Sequence, residues 1–163
     1  NYEAIVLLKK EGIIKGNPDG SFRPNTPINR AEFAKILLLA LDKEVQSPRG
    51  SIFTDVPAES WFAPFAETAA SYGIIKGYPN GTFGAGNNIN RAELFVMLSR
   101  SLDETKYGSS NFADVPDDAW FADAAAFAEK NELLDFGNAF LPSKAMTRAE
   151  VAEAVARFME VRS

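Results

Sequence analysis

The chain has 163 residues, 46% apolar and 24% charged, with a formal net charge of −5 and neither Cys nor His. That composition suits one globular domain, or three small subdomains sharing a core, and excludes disorder. It also excludes disulfides, thiolate and histidine metal sites and a histidine general base, and the lack of any basic run excludes nucleic acid as a partner. No apolar run approaches 18 residues, so membrane insertion is not expected.

Residues 2–11 form a short amphipathic helix ending at Gly12, with Ile5 and Leu8 on one face. Ile13 and Ile14, flanked by glycines, turn into the core. Asn17-Pro18-Asp19-Gly20 is a tight turn, with Gly20 free to take positive φ. Phe22 then returns inward. Asn29-Arg30-Ala31-Glu32 opens the next helix: Asn29 is the N-cap and Glu32, three residues on, completes a capping box. Phe33, Ile36, Leu37, Ala40 and Leu41 follow at the spacing of a buried stripe. Residues 42–52, broken by Pro48 and Gly50, are a linker.

Phe53-Thr54-Asp55-Val56-Pro57 starts a fuller unit, with Asp55 or Ser60 as the candidate cap of a helix whose face is Trp61, Phe65, Ala69 and Tyr72. Gly-Ile-Ile-Lys-Gly recurs at 73–77, the turn at Tyr78-Pro79-Asn80-Gly81, and the cap at Asn90 to Glu93. The stripe recurs as Leu94, Met97, Leu98 and Leu102. Residues 103–111 are a second linker. A third unit opens with Phe112-Ala113-Asp114-Val115-Pro116 and Trp120, with Ala124, Phe127 and Ala128 on one helix face. Its Gly-Ile-Ile-Lys-Gly counterpart is Asn131-Glu132-Leu133-Leu134-Asp135, its turn shrinks to residues 136–140, and its cap is Thr147-Arg148-Ala149-Glu150 ahead of Val151, Val155 and Met159.

The chain is therefore three tandem repeats, at 1–45, 53–104 and 112–163. Only the second has every element, and the first lacks the Asp-Val-Pro…Trp opening. Two short helices cannot bury an apolar face alone. Three pairs must share a core, either stacked in a line or closed on a pseudo-threefold axis, and the small repeat number favours closure. An all-α fold results.

The ordered set Phe-x-Asp-Val-Pro…Trp, Gly-Ile-Ile-Lys-Gly, Pro-Asp/Asn-Gly-Ser/Thr-Phe and Arg-Ala-Glu resembles the S-layer homology family. Those modules anchor S-layer and other surface proteins to bacterial cell walls, and the likeness covers essentially the whole chain. It implies a non-catalytic, extracellular module of a larger surface protein, monomeric, built around a central three-helix bundle with grooves between repeats. Such modules hold a secondary cell-wall polysaccharide, often through pyruvylated N-acetylmannosamine; some bind peptidoglycan instead. The family's signature arginine falls on Arg30, Arg91 and Arg148. Asn29 and Asn90 stand where the family usually has Thr, which keeps the capping chemistry. The eroded third turn puts one sugar groove in doubt.

A guanidinium grips a carboxylate with two hydrogen bonds, and free N–H groups of a helix's first turn favour anions, so Arg30, Arg91 and Arg148 are candidate contacts to an acidic glycan. Their alternative is local pairing. Glu32, Glu93 and Glu150 read as capping carboxylates rather than catalysts. Asp55 and Asp114 bond turn N–H groups or line a groove. Trp61 and Trp120 fill the core or stack on a sugar face. Asp19-Gly20 and Asn80-Gly81 are turns whose glycines would admit a ligand close to the backbone, and Tyr78 is a candidate sugar contact. No cofactor or metal is expected, because the Asn-Pro-Asp-Gly turn lacks the spaced oxygens of a calcium loop. A protein–protein assembly module is the remaining reading; it requires the arginines paired with acids and apolar patches exposed.

Overall fold

The computed structural model describes residues 1–50, 52–102 and 106–162. The linker readings at 51 and 103–105, and the repeat boundaries at 104 and 163, lie outside the described residues. The described residues hold six helices: α1 (Tyr2–Lys10), α2 (Arg30–Ala40), α3 (Ala63–Ser71), α4 (Arg91–Arg100), α5 (Ala122–Lys130) and α6 (Arg148–Arg162). The fold is all-α, two helices per repeat.

The three repeats are closed, not stacked. The first helix of each repeat packs on the second helix of the repeat before it: α3 on α2, α5 on α4, and α1 on α6. At the axis the residues just before α2, α4 and α6 join in a ring of backbone hydrogen bonds. The Ile28 N–H donates to Met146 O (3.0 Å), the Ile89 N–H to Ile28 O (2.9 Å) and the Met146 N–H to Ile89 O (3.0 Å). All three side chains are buried, so the ring sits inside the core, where an unmade backbone bond would be costly.

The same loops complete the helix starts. The Arg30 and Ala31 N–H groups donate to Asn87 O and Ala85 O, those of Arg91 and Ala92 to Lys144 O and Pro142 O, and those of Arg148 and Ala149 to Thr26 O and Pro24 O. The next N–H is taken by the cap: Asn29 Oδ1 and Asn90 Oδ1 accept from Glu32 and Glu93, each glutamate returning the bond to its cap residue, and Thr147 and Glu150 make the same exchange. The first-turn N–H groups expected to favour an anion are therefore all spent within the protein.

Three local expectations are corrected. Trp61 and Tyr72 do not share a buried face with Ala69: α3 begins only at Ala63, Trp61 and Tyr72 are exposed, and the buried stripe is Ala63, Ala66 and Ala69. Neither Asp55 nor Ser60 caps α3, whose N-cap is Phe62 without a side-chain bond; Ser60 Oγ instead donates to Pro57 O. In the third repeat the register moves by one residue. Glu132, not Asn131, takes the place of Gly12 and Gly73, since all three have positive φ (50°, 74° and 72°) and each is followed by an apolar residue bonded back to the preceding helix. The linkers are docked: Gln46 and Arg49 N–H groups donate to Thr68 Oγ1 and Glu67 Oε2 of α3, and Asn111 bonds Glu129 of α5.

Candidate functional site

Two grooves among the described residues each draw on all three repeats. The first, of about 920 Å³, is lined by Ile13 to Lys15 and Pro18 of repeat 1, by Glu32, Lys35 and Leu39 on α2, by Trp61 of repeat 2 and by Arg148 of repeat 3. The second, of about 430 Å³, is lined by Ile75 to Pro79 and by Glu93, Val96, Met97 and Arg100 of repeat 2, by Trp120 of repeat 3 and by Arg30 of repeat 1. The plan is the same: Ile-Lys and Pro from one repeat, the tryptophan of the next, the arginine of the one before. Trp61 and Trp120 are 54% and 65% exposed, each edge-on to the Phe that follows it. Both rings line the grooves rather than fill the core.

The arginines are held by the Phe that returns from each turn. Arg30 Nε donates to Phe83 O (2.8 Å), Arg91 Nη1 to Phe140 O (2.8 Å) and Arg148 Nε to Phe22 O (2.9 Å). In repeats 2 and 3 an aspartate fixes that segment through its N–H groups. Asp55 accepts from the Phe83 and Gly84 N–H groups (2.7 and 2.8 Å), and Asp114 from those of Phe140 and Leu141 (2.9 and 2.8 Å). Burial alone would raise both carboxyls, but these two N–H bonds and the nearby arginine outweigh it and hold them below the usual range. Both oxygens of each aspartate are engaged, so Asp55 and Asp114 are structural clamps.

The arginine environments then diverge. Arg30 is buried, 3.1 Å from Glu93 Oε1, with its guanidinium 4.6 Å from the Tyr78 ring centroid. The Tyr78 hydroxyl donates to the same Glu93 oxygen, and burial raises the phenol's pKa. Arg91 is also buried, 3.4 Å from Glu150 Oε1, with Phe136 against it at 5.5 Å. Lys144 Nζ bonds that Glu150 oxygen too, and burial lowers the Arg91 pKa despite the glutamate. Arg91 lines neither groove. Arg148 is the open one: half-buried, bonded to Phe22 O and Lys15 O, stacked 4.7 Å from the Phe22 ring, and without an acid within ion-pair distance among the described residues.

The glutamates thus do two things. One oxygen closes the capping box; the other, in Glu93 and Glu150, pairs the neighbouring repeat's arginine. The turn residues stay local. Asp19 accepts from Ser21 and pairs with Arg23 at 2.7 Å, Asn80 accepts from Thr82, and Gly20 and Gly81 each take φ of 82°. Those four line neither groove, although Pro18 and Pro79 beside them do.

Sequence reasoning missed the groove cations Lys15, Lys35, Lys76 and Arg100. A signal existed: the Lys of Gly-Ile-Ile-Lys-Gly recurs as Lys15 and Lys76, and in the corrected register Asp135 replaces it in repeat 3. Likewise Lys35 of α2 corresponds to Glu153 of α6. Among the described residues no cluster of acids could hold a metal ion, and no helix is long and apolar enough to cross a membrane.

The S-layer homology domain model matches residues 1–34, 52–95 and 111–152, that is, the three repeats. The chain is 35% identical over 128 residues to cell surface glycoprotein 1 of Acetivibrio thermocellus, covering 72% of this chain and 6% of that protein. It is 34% identical over 125 residues to the cellulosome-anchoring protein of the same organism, covering 72% and 27%. It is 28% identical over 160 residues to S-layer protein sap of Bacillus anthracis, covering 95% and 19%. The chain thus spans about a quarter or less of the length of these relatives. With the family model on all three repeats, the chain belongs to the S-layer homology domain family, non-catalytic modules that anchor proteins at the extracellular bacterial cell wall or S-layer.

Proposed function

We propose that this module holds an acidic secondary cell-wall polysaccharide, pyruvylated as the ketal carboxylate, in the two inter-repeat grooves. The supporting observation is that each groove is lined by an exposed tryptophan, an arginine and at least one lysine. A pyranose can lay its apolar face on the indole while its carboxylate meets cations on the other wall. Arg148 with Lys15 and Lys35 serves the first groove; Lys76 and Arg100, with Arg30 behind them, serve the second. The third position is built differently, because Lys144, Glu150 and Phe136 occupy Arg91. Two grooves on one polymer would add avidity. The net charge of −5 favours local recognition over bulk electrostatic adsorption.

One observation favours a second reading, a protein–protein assembly module. Arg30 and Arg91 are paired with acids inside the chain, as that reading requires. Calorimetry with pyruvylated and depyruvylated wall polymer separates the two. Loss of binding on depyruvylation supports the acidic-glycan reading; indifference to depyruvylation points to peptidoglycan or protein as the partner.

A further inference from the structure

A further compartment, of about 260 Å³, adjoins the second groove. The two share Lys76, Val96, Arg100 and Trp120, and the compartment adds Ser99 and Asp123. Its volume falls below the roughly 300–1,000 Å³ of a ligand pocket, so it lengthens the groove rather than forming a site of its own. The exposed indole of Trp120 is a wall of both.

Arg100, the last residue of α4, is an unpartnered cation in this wall. It is half-buried and makes neither a hydrogen bond nor an ion pair among the described residues. Burial alone pushes its pKa below the ordinary value, with no acid to offset it. Its equivalent in repeat 3, Arg157, is satisfied within the chain: it donates to Glu132 O and pairs with Glu153 one turn earlier, both at 2.6 Å. In repeat 2 the residue one turn before Arg100 is Val96, so that internal acid is missing. Repeat 1 has Leu39 at the position of Arg100 and carries its cation, Lys35, at the position of Val96. Arg30 is already engaged by Glu93 and Phe83 O and covered by Tyr78. An incoming carboxylate would have to displace Glu93 from Arg30, but no protein group from Arg100.

We infer that Arg100 is the acid-reading group of the second groove, and that this groove takes two consecutive sugars. The carboxylate of an acidic sugar pairs with the Arg100 guanidinium through two hydrogen bonds, with Lys76 beside it and the sugar ring on Trp120. The adjoining sugar is neutral and sets its hydroxyls against Ser99 and Asp123, whose carboxylate disfavours a second acid there. The first groove, with Leu39 in place of Arg100, reads its acid one helical turn earlier. The assignment rests on the glycan reading of the grooves and names the arginine that carries it in this one.

The test is a titration with a two-sugar fragment of pyruvylated wall polymer, followed at the Trp61 and Trp120 indole resonances and the Ser99 and Asp123 amides. Saturable shifts at Trp120, Ser99 and Asp123 are expected. Arg100→Gln should weaken the Trp120 response at least ~10-fold, through loss of a charge-assisted pair, and leave the Trp61 response as it was. It should melt at the parent's temperature or above, because it strands no acid. Val96→Glu, which copies the Glu153–Arg157 pair, should weaken the Trp120 response likewise with Arg100 still present. A Trp120 response unchanged in either variant, or saturation without shifts at Ser99 and Asp123, would overturn the proposal and leave the glycan reading standing. No response at either indole of the parent would overturn both.

Discussion

Arg30, Arg91 and Arg148 hold one position of the repeat but three different environments, and their substitutions should separate accordingly. Arg30 is buried against Glu93 and the Phe83 carbonyl. Replacing it by alanine leaves the largely buried Glu93 carboxylate without its cation, a loss approaching the roughly 3–5 kcal/mol of a broken buried pair, so Arg30→Ala should unfold at much lower urea than the parent. Arg148→Ala removes bonds to two carbonyls but strands no acid, and should cost clearly less. Chemical denaturation followed by circular dichroism measures both; a larger loss for Arg148→Ala would refute this ranking. Arg148 is therefore the arginine whose removal reports on ligand binding without a collapse of the fold.

At the scale of elements, the turn–clamp unit carries a pH dependence. Asp55, Asp114 and Glu150 all have folded-state pKa values below their ordinary ones. A depressed carboxyl contributes stability that is fully present above its unfolded pKa, about 4, and is lost as pH falls through the lower folded value. Stability should thus be flat above about pH 5 and fall in more acid solution. Asp114→Asn should be less stable at neutral pH and show a shallower acid limb, as thermal melts across pH will reveal; an unchanged limb would mean the clamp does not titrate. Gly77→Ala should also destabilise strongly, by at least ~1–2 kcal/mol for the left-handed backbone alone, since its Cβ would also meet Thr82 O at 2.8 Å. Gly16→Ala, lacking positive φ, should cost less. Much of this was legible in the sequence. The capping boxes announced themselves because their chemistry is local, three residues apart. The aspartate clamps did not, because Asp55 bonds 28 residues downstream and no local spacing encodes that. Trp61 was misplaced because its i, i+4, i+8 spacing with Phe65 and Ala69 imitates a helix that begins only at Ala63.

For the whole molecule, closure is the governing fact. The Ile28–Ile89–Met146 ring and the packing of each repeat's first helix on the previous repeat mean that no repeat owns its core. Unfolding should be a single transition, with helix content and Trp61/Trp120 fluorescence lost together; transitions that separate would indicate independently stable repeats. The sequence carried the repeat count and the all-α class, since both follow from recurring motifs. It did not carry the partnership of α3 with α2 rather than α4, nor the circular exchange that brings Arg148 to the groove of repeat 1, because identical motifs say nothing about which neighbour each will face. The chain's two tryptophans stand one in each open groove, so the indole N–H resonances are separate reporters of them. The decisive measurement is a titration with a pyruvylated wall-polymer fragment followed at those two resonances. Saturable shifts of both, abolished for the Trp61 signal by Arg148→Ala, are the expected result. Binding of the fragment with both indole signals unmoved would contradict the account.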